Sequence, residues 1–214
     1  MSENPYAVRF DERDHAAKDA AWRSVVAYLQ RWIDPAQPVV DIGCDRGYFI
    51  RNVRANERWA VDLRDVADQL GGARFVRTSG LDPDLPDGYF GTVFLSNVLE
   101  HLASPDEVIQ QLRVAKRLLT PTGRVIVLQP NIRFVGAAYW DFIDHRVPLT
   151  QYSLVEGGAI AGLRTEVLIP RFLPYTTKSR WPVNAALTSA YLRVPLAWRF
   201  LGKQTLWVAR AAGR

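Results

Sequence analysis

The chain has 214 residues, 48% hydrophobic and 23% charged, which is typical of a single globular domain. A single cysteine, Cys44, excludes an internal disulfide, and we expect it to fill a tight loop as a small residue. Residues 1–9 lack the apolar core of a signal peptide, and no apolar run reaches the ~18 residues of a membrane span. The composition therefore predicts a cytoplasmic protein.

The charge is uneven along the chain. Residues 1–122 contain 15 lysines and arginines against 18 acidic residues, whereas residues 123–214 contain 12 against 4. The basic C-terminal part is either a solvated face or a surface for an acidic partner, such as a phosphorylated substrate, a membrane or a nucleic acid.

The first half of the chain predicts a helix followed by a strand and a glycine-rich turn. Residues 11–33 carry apolar side chains at helical spacing. Residues 39–49 then predict a first strand, a tight turn containing Gly43 and Gly47, and the N-terminus of a helix. A glycine turn of this kind is also compatible with a purely structural loop.

A carboxylate after the second strand favours a cofactor site. Residues 59–61 predict a short buried strand that ends at Asp62, 19 residues after Gly43. An acid at this point of a doubly wound fold binds the hydroxyls of a ribose. The glycine turn and Asp62 together therefore predict a nucleoside-containing cofactor.

The remaining elements alternate between strands and helices. A short polar helix is predicted over residues 65–70, a helix with N-cap Ser104, Pro105 and a capping-box Glu107 follows the fourth strand, and residues 153–163 predict another helix. In the apolar and basic segment 181–203, Pro195 separates two predicted short helices. The further predicted strands lie at 74–77, 91–95, 125–128, 166–169 and 205–209. Strands separated by helix-length segments predict an open parallel α/β sheet.

Four motifs in this order resemble class I S-adenosylmethionine-dependent methyltransferases, in the small-molecule branch with a Leu-Glu-His-Leu motif. They span residues 39–131 and lie at 39–44, 97–102, 117–123 and 129–131. The resemblance implies a Rossmann-like, doubly wound, seven-stranded sheet, mostly parallel with an antiparallel last strand, plus an N-terminal helix and a helical lid. It implies one methyltransferase domain over 1–214, divided into a helical cap (1–34), a cofactor-binding core (35–131) and acceptor-side elements with the last two strands (132–214).

The same resemblance implies the residues that bind S-adenosylmethionine. Gly43 and Gly47 frame the methionine group and Asp62 holds the ribose. The other implied cofactor-binding residues are Asp41, Cys44, Asp45, Leu63, Ser79, Gly80, Leu81, Ser96 and Asn97. The chain departs from the family pattern where Asp45 replaces a common glycine, Ser79 and Gly91 replace frequent acids, and Thr122 replaces a glycine.

Two histidines are candidates for catalysis. His101 follows the fourth strand, and His145 lies in the segment that shapes the acceptor pocket in the family, where Asp141 or Asp144 would orient it. Each is either a general base or a structural residue. His15 is expected to be a surface residue, and no metal site is predicted.

These features predict methyl transfer to a small molecule, most simply to a hydroxyl of a sugar, a lipid-linked glycan precursor or a specialised metabolite. An RNA methyltransferase, a non-catalytic relative that binds the cofactor or a partner, and an NAD-dependent oxidoreductase are the alternatives; the sequence disfavours nucleic acid. Segment 181–203 is a lid, the wall of a lipid pocket or a peripheral membrane contact. The sequence predicts neither the oligomeric state nor the identity of the acceptor.

Overall fold

A computed structural model describes residues 15–175 and 184–213. Its single sheet has the strand order β3-β2-β1-β4-β5-β7-β6. Neighbouring strands from β3 to β5 are parallel, and β7 is antiparallel to both β5 and β6. The strands are β1 Val39–Ile42, β2 Arg58–Asp62, β3 Arg74–Arg77, β4 Phe90–Ser96, β5 Leu119–Pro130, β6 Leu163–Leu173 and β7 Gln204–Ala211. The predicted seven-stranded sheet with an antiparallel last strand is confirmed.

The described residues contain six α-helices and four short 3-10 helices. The α-helices are α1 His15–Leu29, α2 Pro105–Leu118, α3 Ile132–Val135, α4 Gln151–Ile160, α5 Ala185–Leu192 and α6 Pro195–Leu201. The 3-10 helices are Gln30–Trp32, Ala67–Gln69, Leu99–His101 and Gly136–Asp141. Pro195 separates α5 from α6 as predicted, whereas residues 11–14 of the predicted first helix and residues 181–183 lie outside the described residues.

Helix α2 begins where its sequence predicts. Ser104 has an extended backbone, its hydroxyl accepts the N–H of Glu107 at 3.3 Å, and Pro105 is the first helical residue. The carboxylate of Glu107 accepts the N–H of Ala103 at 2.8 Å, one residue before the cap. Both interactions fix the path from the end of β4 into α2.

The sheet is covered on both faces by apolar side chains. Along β1, Val40 and Ile42 belong to the core that contains Leu112 of α2, whereas Val39 belongs to the core that contains Leu29 of α1. Successive side chains of a strand point to opposite faces, so a strand covered on both sides is apolar throughout. This is the doubly wound arrangement, and it brings the carboxyl ends of β1, β2, β4 and β5 together at what we call the carboxyl edge.

The prediction of a helix directly after Gly47 is wrong. Residues 48–52 form hydrogen-bonded turns, and the predicted helix over 65–70 is a single 3-10 turn. Side chains compete for the backbone here: the amide of Asn52 donates to the carbonyl of Tyr48 at 2.8 Å, and Arg51 donates to the carbonyl of Arg46 at 3.0 Å. Such bonds offer the backbone an alternative to the helical ladder. The N–H groups of Arg51 and Val53 still donate to the carbonyls of Gly47 and Phe49 at 3.0 Å each, so the segment is an irregular turn and not a continuous helix.

Replacing Glu166 with glutamine is expected to destabilise the sheet by about 1 kcal/mol at neutral pH. The carboxylate on β6 accepts Nε of Arg124 at 2.8 Å and Nε of Arg210 at 2.7 Å, and these bonds, led by that from Arg124, lower the pKa of Glu166 to about 2. The side chain is about a third exposed, so solvent screens the pair.

The pH dependence of this effect has a defined sign. Because the folded pKa is depressed, the stabilisation is present above the usual carboxyl pKa and is lost as pH falls towards the folded value. Urea unfolding of wild type and Glu166→Gln should therefore differ at neutral pH and converge between about pH 5 and about pH 2. Glu156→Gln, at an exposed carboxyl of α4, is the control. A difference independent of pH would contradict this account.

Candidate functional site

The glycine turn after β1 packs directly against the loop after β4. Gly43 and Gly47 have φ angles of +71° and +72°, the left-handed region that favours glycine. A Cβ atom on Gly43 would lie 2.5 Å from Cγ2 of Val98. The turn therefore leaves no room for a side chain at Gly43 and places its backbone at the carboxyl edge.

The carboxylate of Asp62 is held rigidly at the end of β2. Its Oδ2 accepts the backbone N–H of Asp45 at 3.0 Å, and its Oδ1 accepts the backbone N–H of Arg64 at 2.9 Å. The guanidinium of Arg64 also donates to Oδ1 at 3.1 Å, to Oδ2 at 3.2 Å and to Oδ1 of Asp45 at 2.7 Å. In this structure the guanidinium of Arg64 therefore occupies both oxygens of the carboxylate that the family resemblance assigns to the ribose.

Three carboxylates cluster around the turn. Burial raises the pKa of Asp41 well above its usual range, and the neighbouring charges of Asp62 and Asp45 add to this rise. Burial likewise raises the pKa of the Cys44 thiol, so the thiol stays protonated and unreactive. Cys44 is 6% exposed, which agrees with a small residue that fills the loop.

The segments that would flank an adenine lie beside Asp62. Leu63 is 70% exposed, a large apolar surface next to Asp62. In the loop after β3, the hydroxyl of Ser79 accepts the N–H of Leu81 at 3.2 Å. A Cβ on Gly80 would lie 2.5 Å from Cγ2 of Ile42, so this loop packs against the end of β1.

Ser96 and Asn97 end β4 at the same edge. Asn97 is exposed, with a φ of +51°, and its N–H donates to the carbonyl of Leu128 at 2.9 Å. The twelve residues implied as cofactor-binding therefore lie on the first four strands and the loops after them.

Glu100 and His101 begin a second polar group, of which His101 was predicted from the sequence and Glu100 was not. Glu100 is only 1% exposed, and its Oε2 accepts the amide of Gln129 at 3.0 Å. Its Oε1 lies 3.9 Å from Nε2 of His101, whose Nδ1 lies 3.1 Å from the carbonyl and 3.3 Å from the carboxylate of Asp144. Burial raises the pKa of Glu100. The structure thus pairs Asp144 with His101, whereas the sequence predicted that Asp141 or Asp144 would orient His145.

His145 completes this group, which we call the histidine cluster (Glu100, His101 and His145). Its ring centroid lies 5.0 Å from that of His101 and 4.7 Å from that of Tyr139, and the residue is 8% exposed. One donor atom from each member lies within 4.8 Å of the others. The structure therefore brings together two histidines that are 44 positions apart in the chain.

Helix α1 covers the glycine turn from the outside. His15, expected at the surface, contacts the hydroxyl of Tyr48 at 2.5 Å and the guanidinium of Arg46, and Asp19 pairs with Arg51 at 2.6 Å. These side chains line a cavity of about 240 Å³ between the helix and the turn.

Solved structures share this fold at low sequence identity. A chain of the complex between the Haloferax volcanii Trm112 methyltransferase activator and a methyltransferase superposes with a TM-score of 0.72 at 17% identity, with 100% of both chains covered. An S-adenosylmethionine-dependent methyltransferase of Archaeoglobus fulgidus matches at 0.67 and 16%, over 96% of this chain and 99% of that one. Geranyl diphosphate C-methyltransferase of Streptomyces coelicolor A3(2) matches at 0.63 and 16%, over 97% and 86%.

The fold and the site define a class I S-adenosylmethionine-dependent methyltransferase, which confirms the predicted class and cofactor. A family model described as "Methyltransferase domain" matches residues 13–165, and the chain belongs to that family. No curated protein matches the sequence significantly.

The residues present fit the cofactor. The backbone of the glycine turn approaches the carboxyl edge where a Cβ would clash, and a buried carboxylate stands one strand away. The contacts of Arg64 and Glu100 were not predicted from the sequence. Glu100 could have been found, because it lies inside the Leu-Glu-His-Leu motif, whereas nothing in the sequence marks the contact of Arg64 with Asp62.

Proposed function

We propose that this methyltransferase transfers a methyl group to a hydroxyl of a small molecule, namely a sugar, a lipid-linked glycan precursor or a specialised metabolite. The observation that carries the proposal is the histidine cluster at the carboxyl edge, after β4. Two imidazoles and a buried carboxylate suit an acceptor that must lose a proton as it is methylated.

The chain contributes mainly by positioning. S-Adenosylmethionine supplies, when bound, a methyl group on a sulfonium that is already a good leaving group. Asp62 and the turn at Gly43 would hold the donor, and elements 132–214 would hold the acceptor in line with it, an effect worth about 7–11 kcal/mol. Activation of the hydroxyl by His101 and His145 would add about 100- to 10,000-fold. The core (35–131) would thus bind the donor, the acceptor side (132–214) would bind the acceptor, and the cap (1–34) would cover the glycine turn.

Replacing Arg64 with alanine is expected to strengthen S-adenosylmethionine binding about 10-fold or more, because the two charge-assisted hydrogen bonds from the guanidinium to Asp62 no longer have to be broken. The guanidinium now donates to both carboxylate oxygens that the ribose would use. Calorimetric titration measures the change, and Arg54→Ala, which removes an exposed guanidinium elsewhere, is the control. Weaker binding by Arg64→Ala alone would show that Arg64 holds the donor.

The C-terminal part has the positive charge and the exposed apolar side chains that suit an anionic lipid surface, where a lipid-linked acceptor would lie. Glu166 is the last acidic residue of the chain, and eight lysines and arginines follow it. Helices α5 and α6 expose Leu187, Leu196 and Phe200 by 52%, 62% and 72%. Among the described residues no helix is long and apolar enough to cross a membrane. We infer that these helices contact an anionic lipid surface peripherally.

Phe200→Ala combined with Leu196→Ala is expected to weaken co-sedimentation with anionic vesicles about 10-fold or more, because each large apolar side chain contributes about 1.5–3 kcal/mol when buried. Trp198→Ala is unsuitable for this test, since Trp198 is 7% exposed and donates to the carbonyl of Tyr191 at 2.9 Å. Ile160→Ala, at an exposed residue of α4, is the matched control. Equal sedimentation of all variants would refute the membrane contact.

The acceptor class is tested with radiolabelled S-adenosylmethionine and three acceptor pools: lipid extract, aqueous metabolites and RNA. We expect label to enter the lipid or metabolite pool and to resist nuclease. Label that enters only RNA and is lost after nuclease treatment would overturn the proposal in favour of an RNA methyltransferase. No transfer to any pool, with intact donor binding, would favour a non-catalytic relative.

A further inference from the structure

The histidine cluster has the donor set of a transition-metal site. Glu100 offers one carboxylate oxygen, and His101 and His145 each offer one ring nitrogen. Two imidazoles and one carboxylate bind zinc in catalytic sites, which use three protein ligands and leave the remaining positions open. Magnesium and calcium prefer oxygen ligands, so this set favours a first-row transition ion.

The neighbours of the cluster already orient two of its members as metal ligands. The carbonyl and the carboxylate of Asp144 both lie at Nδ1 of His101, at 3.1 and 3.3 Å; both are acceptors, so Nδ1 is the nitrogen that donates and Nε2 is the nitrogen that faces the cluster. This Nε2 is the atom that lies 3.9 Å from Oε1 of Glu100. A histidine that donates its other nitrogen to a carboxylate or carbonyl is the usual arrangement in metal sites.

The carboxylate of Glu100 is oriented in the same way. Gln129 donates to Oε2 at 3.0 Å, which turns Oε1 towards His101. The carbonyl of Glu100 accepts the N–H groups of Arg146 and Val147, at 2.8 and 3.1 Å. These bonds tie the segment that carries His145 to the residue that carries the carboxylate.

The spacing of the donor atoms suits an ion after a small contraction. Metal–ligand distances of about 2.0–2.2 Å in a tetrahedral site place ligand atoms about 3.3 Å apart. The donor atoms of the cluster lie within 4.8 Å of one another, so side-chain movements that shorten these distances by up to about 1.5 Å would bring them to metal-binding separation. His101 is 23% exposed, which leaves access from solvent on one side.

We propose that Glu100, His101 and His145 bind one divalent first-row transition-metal ion, such as Zn²⁺, at the carboxyl edge. The ion's open position would hold the acceptor hydroxyl and acidify it, so the two histidines act through the metal. Only this role in catalysis rests on the proposed function; binding of the ion does not.

The test uses the full chain without a histidine tag, freed of metal by dialysis against EDTA. Titration with Zn²⁺ is expected to show one site per chain, and Co²⁺ is expected to give the visible absorption of a four- or five-coordinate nitrogen–oxygen site. Glu100→Gln should lower Zn²⁺ affinity about 100-fold or more, and Asp144→Asn about 10-fold, because outer partners contribute about 10- to 100-fold. His15→Ala, which removes an imidazole outside the cluster, should leave the affinity unchanged.

Two results would overturn the proposal: no Zn²⁺ binding by a metal-free chain that melts cooperatively, or wild-type affinity in Glu100→Gln. His101→Gln serves as the second ligand variant, because His101 is partly exposed and His145 is buried. S-Adenosylmethionine is titrated into the same metal-free samples. Donor binding without Zn²⁺ binding refutes only the metal site, and Zn²⁺ binding without donor binding refutes only the methyltransferase assignment.

Discussion

Replacing Asp62 with alanine is expected to weaken S-adenosylmethionine binding about 100-fold or more. A carboxylate that accepts two ribose hydroxyls makes two charge-assisted hydrogen bonds of about 1.5–3 kcal/mol each, and every 1.4 kcal/mol corresponds to about tenfold in affinity. Asp62 is 8% exposed and its oxygens are aligned by the backbone N–H groups of Asp45 and Arg64, so the carboxylate is already oriented, although the donor must displace the guanidinium of Arg64.

Two controls separate the loss of the ribose contact from a collapsed turn. Asp65→Ala removes an exposed carboxylate three positions along the chain and should leave the affinity unchanged. Asp62→Asn keeps the shape of the side chain but loses its charge, and we expect an intermediate affinity. Thermal melting of each variant checks the fold. An unchanged dissociation constant for Asp62→Ala would show that Asp62 does not bind the ribose.

Replacing Gly43 with alanine is expected to destabilise the protein by about 2–5 kcal/mol and to abolish donor binding. A non-glycine residue in the left-handed region costs about 1–2 kcal/mol. Overpacking costs a further ~1–3 kcal/mol, because the new Cβ would lie 2.5 Å from Cγ2 of Val98. Urea unfolding measures the free energy, and calorimetry measures the binding.

Gly72→Ala is the matched control for the backbone contribution. Gly72 has a φ of +79°, and a Cβ there would meet nothing within 4 Å, so only the conformational cost should appear. The double variant Gly43→Ala/Val98→Ala should recover most of the overpacking cost, since the clashing methyl group is gone. Equal destabilisation by Gly43→Ala and Gly72→Ala would show that the close approach to Val98 is unimportant.

The sheet was predictable because its central strands are buried on both faces. Residues 39–42 and 92–95 are short runs rich in apolar and β-branched side chains, which is what a parallel strand between two layers requires. The start of α2 was also predictable, since Ser104 and Pro105 act on their immediate neighbours. By contrast, the turn after Gly47 looked helical because its apolar spacing does not reveal that Asn52 binds the carbonyl of Tyr48.

The site was predictable only where it follows the order of the strands. Gly43 and Asn97 come directly after strands and Asp62 is the last residue of one, and parallel topology alone brings strand ends to one edge. The pairs Arg64–Asp45 and Asp144–His101 depend on how loops fold back, which no local pattern encodes. The metal site that we propose has no local sequence pattern either, because its ligands come from two segments separated by all of α2 and β5.

The most direct test of the methyltransferase assignment is a calorimetric titration of the wild-type chain with S-adenosylmethionine and with NAD under identical conditions. We predict saturable binding of one S-adenosylmethionine per chain and no binding of NAD. Binding of NAD in place of S-adenosylmethionine, or of neither ligand, by a folded chain would contradict the assignment.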